Sequence, residues 1–437
     1  MARRTVYIET YGCALNFADT AIMKTALLNH GYEIVDKIED ADIIIINTCT
    51  VRLDTEEKMS KRILALGKYS KEKNKELVVA GCMATAQPYK VKKLAPHAHL
   101  VATYNVHRVI EAIEKRIDLL EEPSKPKTLF MPNPRMMLRG LIAEIPLVDG
   151  CLGDCSFCIT KLARRHVYSR PMEQITSLIQ QLVRRGVVEI RLTGQDVAVY
   201  GVDIAGRRLL PTLMRKIMDI PGDFMVRIGM MSPDQLEPVL DEFIDALRHP
   251  RFFKFVHLPV QSGDDNVLKI MKRRYSVDQY RALVKEIRSK IPGVMIATDI
   301  IVGHPGEDEE AFQNTVRLVE ELRFERVHLA QYTPRPRTVA AGLPQVPDPV
   351  KKKRSKILGE IIARIGLEEH RRFIGSRARV LVVSPGERGG LDAKMFNYMP
   401  VILPPNSARP GSWCNVEITD ATWYDLRGRV LECTEPG

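Results

Sequence analysis

The sequence predicts a mixed α/β protein in three parts. A small parallel α/β unit occupies residues 1–118, an incomplete (β/α)6 barrel residues 141–372, and a small antiparallel β-barrel residues 373–437. Three observations predict this. Apolar runs such as Ile43–Ile46 alternate with helical patterns, as strands buried on both faces of a parallel sheet do. Six further strand–helix repeats follow, each strand running into a polar or Gly/Pro-rich loop. The last part changes to short strands between glycine- and proline-containing turns.

In the first part, strands are expected at Val6–Glu9, Asp42–Asn47 and Leu77–Ala80. Helices are expected at Phe17–His30 and Asp54–Lys73, with two more helical stretches reaching Leu119. Residues 119–140, which include Glu121–Lys127, Pro132 and Pro134, read as a charged, proline-rich linker. The barrel strands are expected at Ile142–Val148, Glu189–Leu192, Met225–Ile228, Lys254–Leu258, Val294–Ile301 and Arg326–Gln331. Helices between them include Met172–Arg185, Gln235–Leu247, Val277–Lys290 and Glu309–Leu322. The two extra units of a closed eight-stranded barrel are not found. The run Lys351–Lys356 opens an amphipathic helix, and reads equally as a solvated helix end or as an RNA contact. The final strands are expected at Arg379–Val383, Met399–Leu403, Trp413–Ile418 and Arg429–Glu432.

Chemistry concentrates in the cysteines. Cys151, Cys155 and Cys158 form a C-x₃-C-x₂-C run just after the first barrel strand. Three thiolates this close can hold three irons of a four-iron cube, leaving one iron open to a small molecule. The rival is zinc, which usually takes four ligands; His166, behind the basic run Lys161–Arg165, is the nearby candidate for a fourth. Cys13, Cys49 and Cys82 lie 36 and 33 residues apart, yet each follows a predicted parallel strand. Loops at the carboxyl ends of such strands share one edge, so these three can converge into a second three-thiolate site. Cys414 and Cys433 read as small buried hydrophobes, because disulfides are not expected in a large cytosolic protein.

The formal net charge of +11 points to a polyanionic partner, nucleic acid first and an anionic membrane surface second. No run is long enough to span a bilayer. The start carries no apolar signal core, so a cytoplasmic protein without a membrane partner is expected.

The C-x₃-C-x₂-C loop with Phe157 before its last cysteine resembles the radical S-adenosylmethionine (SAM) superfamily. The run Cys151–Cys158 followed by Lys161–Arg164 looks most like the archaeal and eukaryotic branch of the methylthiotransferases, which acts on tRNA threonylcarbamoyladenosine, and the whole chain resembles that family. The resemblance is carried by Tyr11–Asn16, Ile46–Val51, Gly81–Ala84, Gly194–Asp196, His257–Gly263, Met271–Tyr275, Asp299–Gly303 and Tyr332–Pro336. The last segment, with Phe396–Val401 the nearest part, resembles the RNA-binding TRAM domain.

The resemblance implies two 4Fe-4S clusters and S-adenosyl-L-methionine as cofactors. It implies tRNA at its anticodon region and an electron donor as partners. SAM would bind the open iron of the Cys151/Cys155/Cys158 cluster, and its one-electron cleavage would give a radical that removes hydrogen from an unactivated carbon. The cluster of Cys13, Cys49 and Cys82 would present the sulfur. Phe157, Gly194, Gln195, Asp196, Gln261, Ser262, Arg273 and Gly303 fall where the superfamily contacts SAM. The implied product carries a methylthio group at C2 of N6-threonylcarbamoyladenosine next to the anticodon. Isopentenyl-type adenosine or a ribosomal-protein aspartate stands as the alternative substrate, and a non-catalytic RNA-binding zinc protein as the alternative of another class. His304, Arg337 and Arg165 depart from the family pattern, in which an aromatic residue, glycine and glycine are usual.

Overall fold

The computed structural model describes residues 4–386 and 389–434. Strands β1 (Thr5–Thr10), β2 (Glu33–Ile34), β3 (Ile43–Thr48), β4 (Glu76–Gly81) and β5 (His99–Val101) form a parallel sheet in the order β2-β1-β3-β4-β5. The Ile43–Ile46 run is fully buried at its centre. Ile43 and Ile45 enter the core on one face, Ile44 and Ile46 the core on the other. This is the period of two expected of a strand covered on both sides, and each buried isoleucine contributes ~1.5–3 kcal/mol. The short β2 and β5 were not legible in the sequence, since two or three residues set no periodicity.

The middle part contains β6 (Leu138–Arg139), β7 (Ile142–Asp149), β8 (Tyr168–Ser169), β9 (Glu189–Gly194), β10 (Met225–Arg227), β11 (Phe255–His257), β12 (Met295–Val302) and β13 (Arg326–Gln331). Strands β7, β9 and β10 pair in parallel, as do β11, β12 and β13. Bridges Val226↔Phe252 and Met230↔His257 join the two groups into one six-strand series. Among the described residues β13 pairs only with β12, so the barrel is open on one side, as expected. The expected helix Gln235–Leu247 is instead a short helix Pro233–Leu236, a 3₁₀ turn Glu237–Val239 and a helix Leu240–Leu247. Pro238 has no N–H to donate and interrupts it.

The last part closes into a barrel of β14 (Arg377–Pro385), β15 (Leu391–Met395), β16 (Pro400–Leu403), β17 (Trp413–Ala421) and β18 (Leu426–Thr434), ordered β14-β15-β16-β18-β17. Its pairings are antiparallel except β16 with β18, which is parallel. The β17–β18 hairpin folds back so that β18 runs beside β16 in the same direction and closes the barrel. This barrel docks at the amino-end of the larger one: Tyr398 donates to Glu189 at 2.8 Å, and the Lys254 N–H donates to the Phe396 carbonyl at 2.8 Å.

Two expectations are corrected here. Cys414 and Cys433 face each other across β17 and β18 and form a disulfide, and Cys433 is exposed. The antiparallel register brings them together, which their spacing in sequence did not show. The lysine run is not simply solvated. On the helix Asp348–Arg371, Lys351 and Arg354 are buried, and Arg354 pairs with Glu307 at 2.9 Å. One helical turn carries these two inward while Lys352 and Lys353 face out.

Candidate metal and cofactor site

The first cysteine set is built by one loop. Strand β7 ends at Asp149, and Gly150 turns the chain at φ +76°. A Cβ there would meet the His166 carbonyl oxygen at 2.0 Å, so only glycine fits. The loop then carries Cys151, Cys155 and Cys158 into the helix Thr160–Ala163. Backbone ties brace it from two sides: Ser156 N–H donates to Met271, and Ala340 N–H donates to Ser156. The Lys161 ammonium donates to the Cys151 carbonyl at 2.9 Å, and the Gly150 N–H donates to Gln195 Oε1 at 2.7 Å. Arg273 reaches Cys155 Sγ with Nη1 at 3.3 Å.

The second set is built by a sheet. Register pairs Thr10 with Asn47 and Thr48 with Gly81, so the loops after β1, β3 and β4 emerge at one edge. They carry Cys13, which is exposed, and Cys49 and Cys82, which are buried. The loops touch: a Cβ on Gly12 would lie 2.7 Å from Cys49 Cβ and 3.1 Å from its sulfur. Gly12 also sits at φ +107°. Asn16 ties the loops together, its Nδ2 donating to the carbonyls of Tyr11 and Thr48 at 2.8 Å each. Its Oδ1 lies 3.6 Å from Cys82 Sγ.

Burial pushes the thiols of Cys82 and Cys151 up to about 12, and raises Cys49 and Cys158 as well. Neighbouring thiols add to this: Cys13 acts on Cys49 and Cys82, Cys158 on Cys151, and Cys155 on Cys158. All six cysteines are free. Convergent desolvated thiols that repel one another's charge call for bound cations to become thiolates. A Cβ on Gly153 would stand 3.7 and 3.9 Å from the sulfurs of Cys155 and Cys151, so this loop leaves its hollow to the sulfurs. Three soft donors per set fit an iron–sulfur cluster with one iron lacking a protein ligand. His166, the candidate fourth zinc ligand, lies at the surface with its ring 3.4 Å from Glu122.

The two sets are brought together. The helix Cys82–Ala86 packs on the helix Thr160–Ala163, with Cys82, Ala86, Ile159 and Ala163 in one apolar cluster. Thr103 Oγ1 donates to the Ala163 carbonyl at 2.5 Å across the same seam. A cavity of about 620 Å³ opens beside it, lined by Val51 and Arg52 after Cys49, by Phe157 and Cys158, and by Tyr332 and Arg335.

The expected SAM contacts divide. Gln195 and Asp196 stand beside the first loop. Asp196 is buried, and burial pushes its carboxyl up to about 7 although it accepts from the N–H groups of Ala198 and Ser232. Gly194 packs against Val148, with no room for a side chain. Gln261 holds φ +72°, and its backbone bonds to Asp299 and Ile301 across β12. Phe157 meets the His304 ring edge-on at 5.9 Å. Arg273 faces Cys155. Ser262 turns away, toward Thr315 at 3.4 Å, and Gly303 packs against the stem of Lys351.

Sequence reasoning missed Asn16, Arg164 and the pair Glu56–Arg335. Arg335 on the loop after β13 binds the Glu56 carboxylate and the Thr50 carbonyl of the first unit, all buried. Asn16 and Arg335 lay inside quoted motifs, but only the fold gives them partners. His304 is buried and its imidazole is pushed down to about 4, so it is neutral; it contacts Ser156 at 3.4 Å.

Residues 5–103 match the uncharacterized protein family UPF0004, and residues 145–319 match the radical SAM superfamily. A Methanocaldococcus jannaschii protein named a probable threonylcarbamoyladenosine tRNA methylthiotransferase is 39% identical over 98% of this chain and 97% of its own length. The human threonylcarbamoyladenosine tRNA methylthiotransferase is 35% identical over 98% of this chain and 74% of its own. Among solved structures, the radical SAM methyltransferase TsrM from Kitasatospora setae shares the fold at a TM-score of 0.60 and 15% identity, over 78% of this chain and 74% of that one.

Proposed function

Because this chain belongs to the threonylcarbamoyladenosine tRNA methylthiotransferase family, we propose that it adds a methylthio group to C2 of N6-threonylcarbamoyladenosine beside the tRNA anticodon. The observation that carries this reading is the packing of two three-cysteine sets across one seam, with a cavity beside them. Cys151, Cys155 and Cys158 hold one 4Fe-4S cluster and Cys13, Cys49 and Cys82 the other. When bound, the clusters and SAM supply the one-electron chemistry at an unactivated carbon that acid–base groups cannot.

The chain's own residues do the rest. Arg273 donates to Cys155 Sγ and balances thiolate charge at the first site. Gln195 fixes the Gly150 turn from which the cysteine loop starts. Asp196 is a carboxyl group in a dry site; once ionised, it would accept a hydrogen bond from the amino group of SAM. Phe157, His304 and Tyr332 form an aromatic wall that excludes water. Gly194 and Gln261 shape the backbone of the SAM pocket; Ser262 and Gly303 support it from behind.

We assign residues 1–118 to the unit holding the second cluster, 119–140 to a connecting segment, 141–372 to the SAM barrel and 373–437 to a TRAM-like RNA-binding barrel. The net charge of +11 suits tRNA. An electron donor is required, and the site of action is the cytoplasm, where tRNA is modified. Among the described residues no helix is long and apolar enough to cross a membrane.

The test combines metal analysis with nucleoside mass spectrometry. Anaerobically purified protein should carry roughly eight irons with matching sulfide. A deletion strain should lose the methylthio group from threonylcarbamoyladenosine and regain it on complementation. Zinc without iron would sink the assignment; loss confined to isopentenyl-type adenosine or to a ribosomal-protein aspartate would move the substrate.

A further inference from the structure

Four charged side chains lie buried together between the two cysteine sets. Asp19 comes from the helix that follows Cys13, and Lys127 from the connecting segment. Asp149 ends β7, two residues before Cys151, and Arg164 follows the helix after Cys158. Arg164 Nη2 lies 2.5 Å from Asp19, and its Nη1 lies 2.6 Å from Asp149. Lys127 Nζ spans the same carboxylates at 2.5 and 2.6 Å. The four side chains are only 1–9% exposed. Two positive and two negative charges close a ring, so the ring needs no outside counter-ion.

Arg164 does more than close the ring. Its Nη2 also donates to Asn16 Oδ1 at 3.1 Å, and that oxygen is the one beside Cys82 Sγ. Its Nε is buried with no acceptor among the described residues. The guanidinium fork reaches the two carboxylates and the Asn16 amide oxygen from two separate nitrogens, whereas the Lys127 ammonium meets the two carboxylates from one.

We propose that Arg164 is a positioning residue for the pair of clusters. It locks the unit carrying Cys13, Cys49 and Cys82 onto the loop carrying Cys151, Cys155 and Cys158, and holds its guanidinium one amide away from Cys82. This rests on the two-cluster reading above. A cation near a cluster favours its reduced, more negative state, so removing Arg164 makes reduction harder.

The experiment uses the full chain, reconstituted anaerobically, as wild type, Arg164→Gln, Arg164→Lys and Lys127→Met. The potential of the second cluster is measured with Cys151, Cys155 and Cys158 all changed to alanine, so that one cluster titrates. Arg164→Gln should shift it to more negative values, Arg164→Lys should restore most of the shift, and Lys127→Met should move it less than Arg164→Gln. In chains with both clusters, the magnetic interaction between reduced clusters should change in Arg164→Gln and Arg164→Lys. An unchanged potential and spectrum in Arg164→Gln overturn the proposal, as does an equal shift in Lys127→Met, which would make the ring merely structural. Should Arg164→Gln not accumulate as soluble protein, Arg164→Lys decides: a wild-type spectrum there overturns the lock. Wild-type chain without iron sinks the two-cluster reading instead.

Discussion

The two cysteine sets each gather three thiol donors, by opposite routes. Cys151, Cys155 and Cys158 sit within eight residues, and their loop is held by backbone bonds, Arg273 and Lys161. Cys13, Cys49 and Cys82 are separated by two whole strand–helix crossovers and meet only because the sheet is parallel and in register. A short loop fixes its geometry locally. A sheet edge fixes it through the fold, so the second site depends on everything that holds the first unit in place.

The largest test of this contrast is to remove one cysteine from each set. Cys13→Ala should lose about half the iron and all methylthio product, yet still cleave SAM to 5′-deoxyadenosine. Cys151→Ala should lose the same share of iron and also the cleavage. If Cys13→Ala abolishes 5′-deoxyadenosine too, the division of labour is wrong.

A second test separates fold from site. Glu56→Gln leaves Arg335 buried without its anion and should cost about 3–5 kcal/mol, read by denaturant unfolding. Iron bound by the second set should fall more than iron bound by the first, because Glu56 belongs to the sheet unit. Equal losses would contradict the contrast.

A third test uses pH. Asp196 has its folded-state carboxyl raised to about 7, so SAM should bind about tenfold more tightly at pH 8 than at pH 6 as the carboxylate forms. Because the folded value is raised, Asp196 contributes stability below about pH 4, and this is lost as pH climbs toward 7. Asp196→Asn should flatten both dependences. Titration calorimetry that finds the same slope in the variant would remove Asp196 from the SAM site.

The smallest effect concerns His304, which braces the first loop through Ser156. His304→Phe should change stability at pH 7 by under about 1 kcal/mol. The folded imidazole is depressed to about 4, so its contribution is present above about pH 6.5 and fades as pH falls toward 4. Thermal melts should show the wild type losing stability relative to the variant across that window, and parallel curves would contradict it.

Much was legible in advance, for identifiable reasons. Val277–Lys290, Glu309–Leu322 and Arg326–Gln331 occur as expected, because long periodic patterns between turns leave little choice. Strand β15 was missed because Asp392, Ala393 and Lys394 are weak strand formers and five residues are too few for their alternation to stand out. The Cys414–Cys433 disulfide was missed because compartment argued against it while register created it. Arg164 and Arg335 read as ordinary basic residues, since Asp19 lies 145 positions from Arg164 and Glu56 279 positions from Arg335, and nothing in the sequence marks Asp149, 15 positions from Arg164, as its partner.

The sequence by itself determined the donor atoms, the strand and helix periods, and the order of the three parts. These are local properties: thiolate spacing, apolar alternation and turn residues act over a few positions. Only the tertiary structure decided that the helix after Cys82 packs on the helix after Cys158, and that Asp19, Lys127, Asp149 and Arg164 share one buried ring. The physical reason is that a charge's value depends on its surroundings. Until the chain folds and excludes water, nothing separates an arginine that ties two sites together from one that merely keeps the surface soluble.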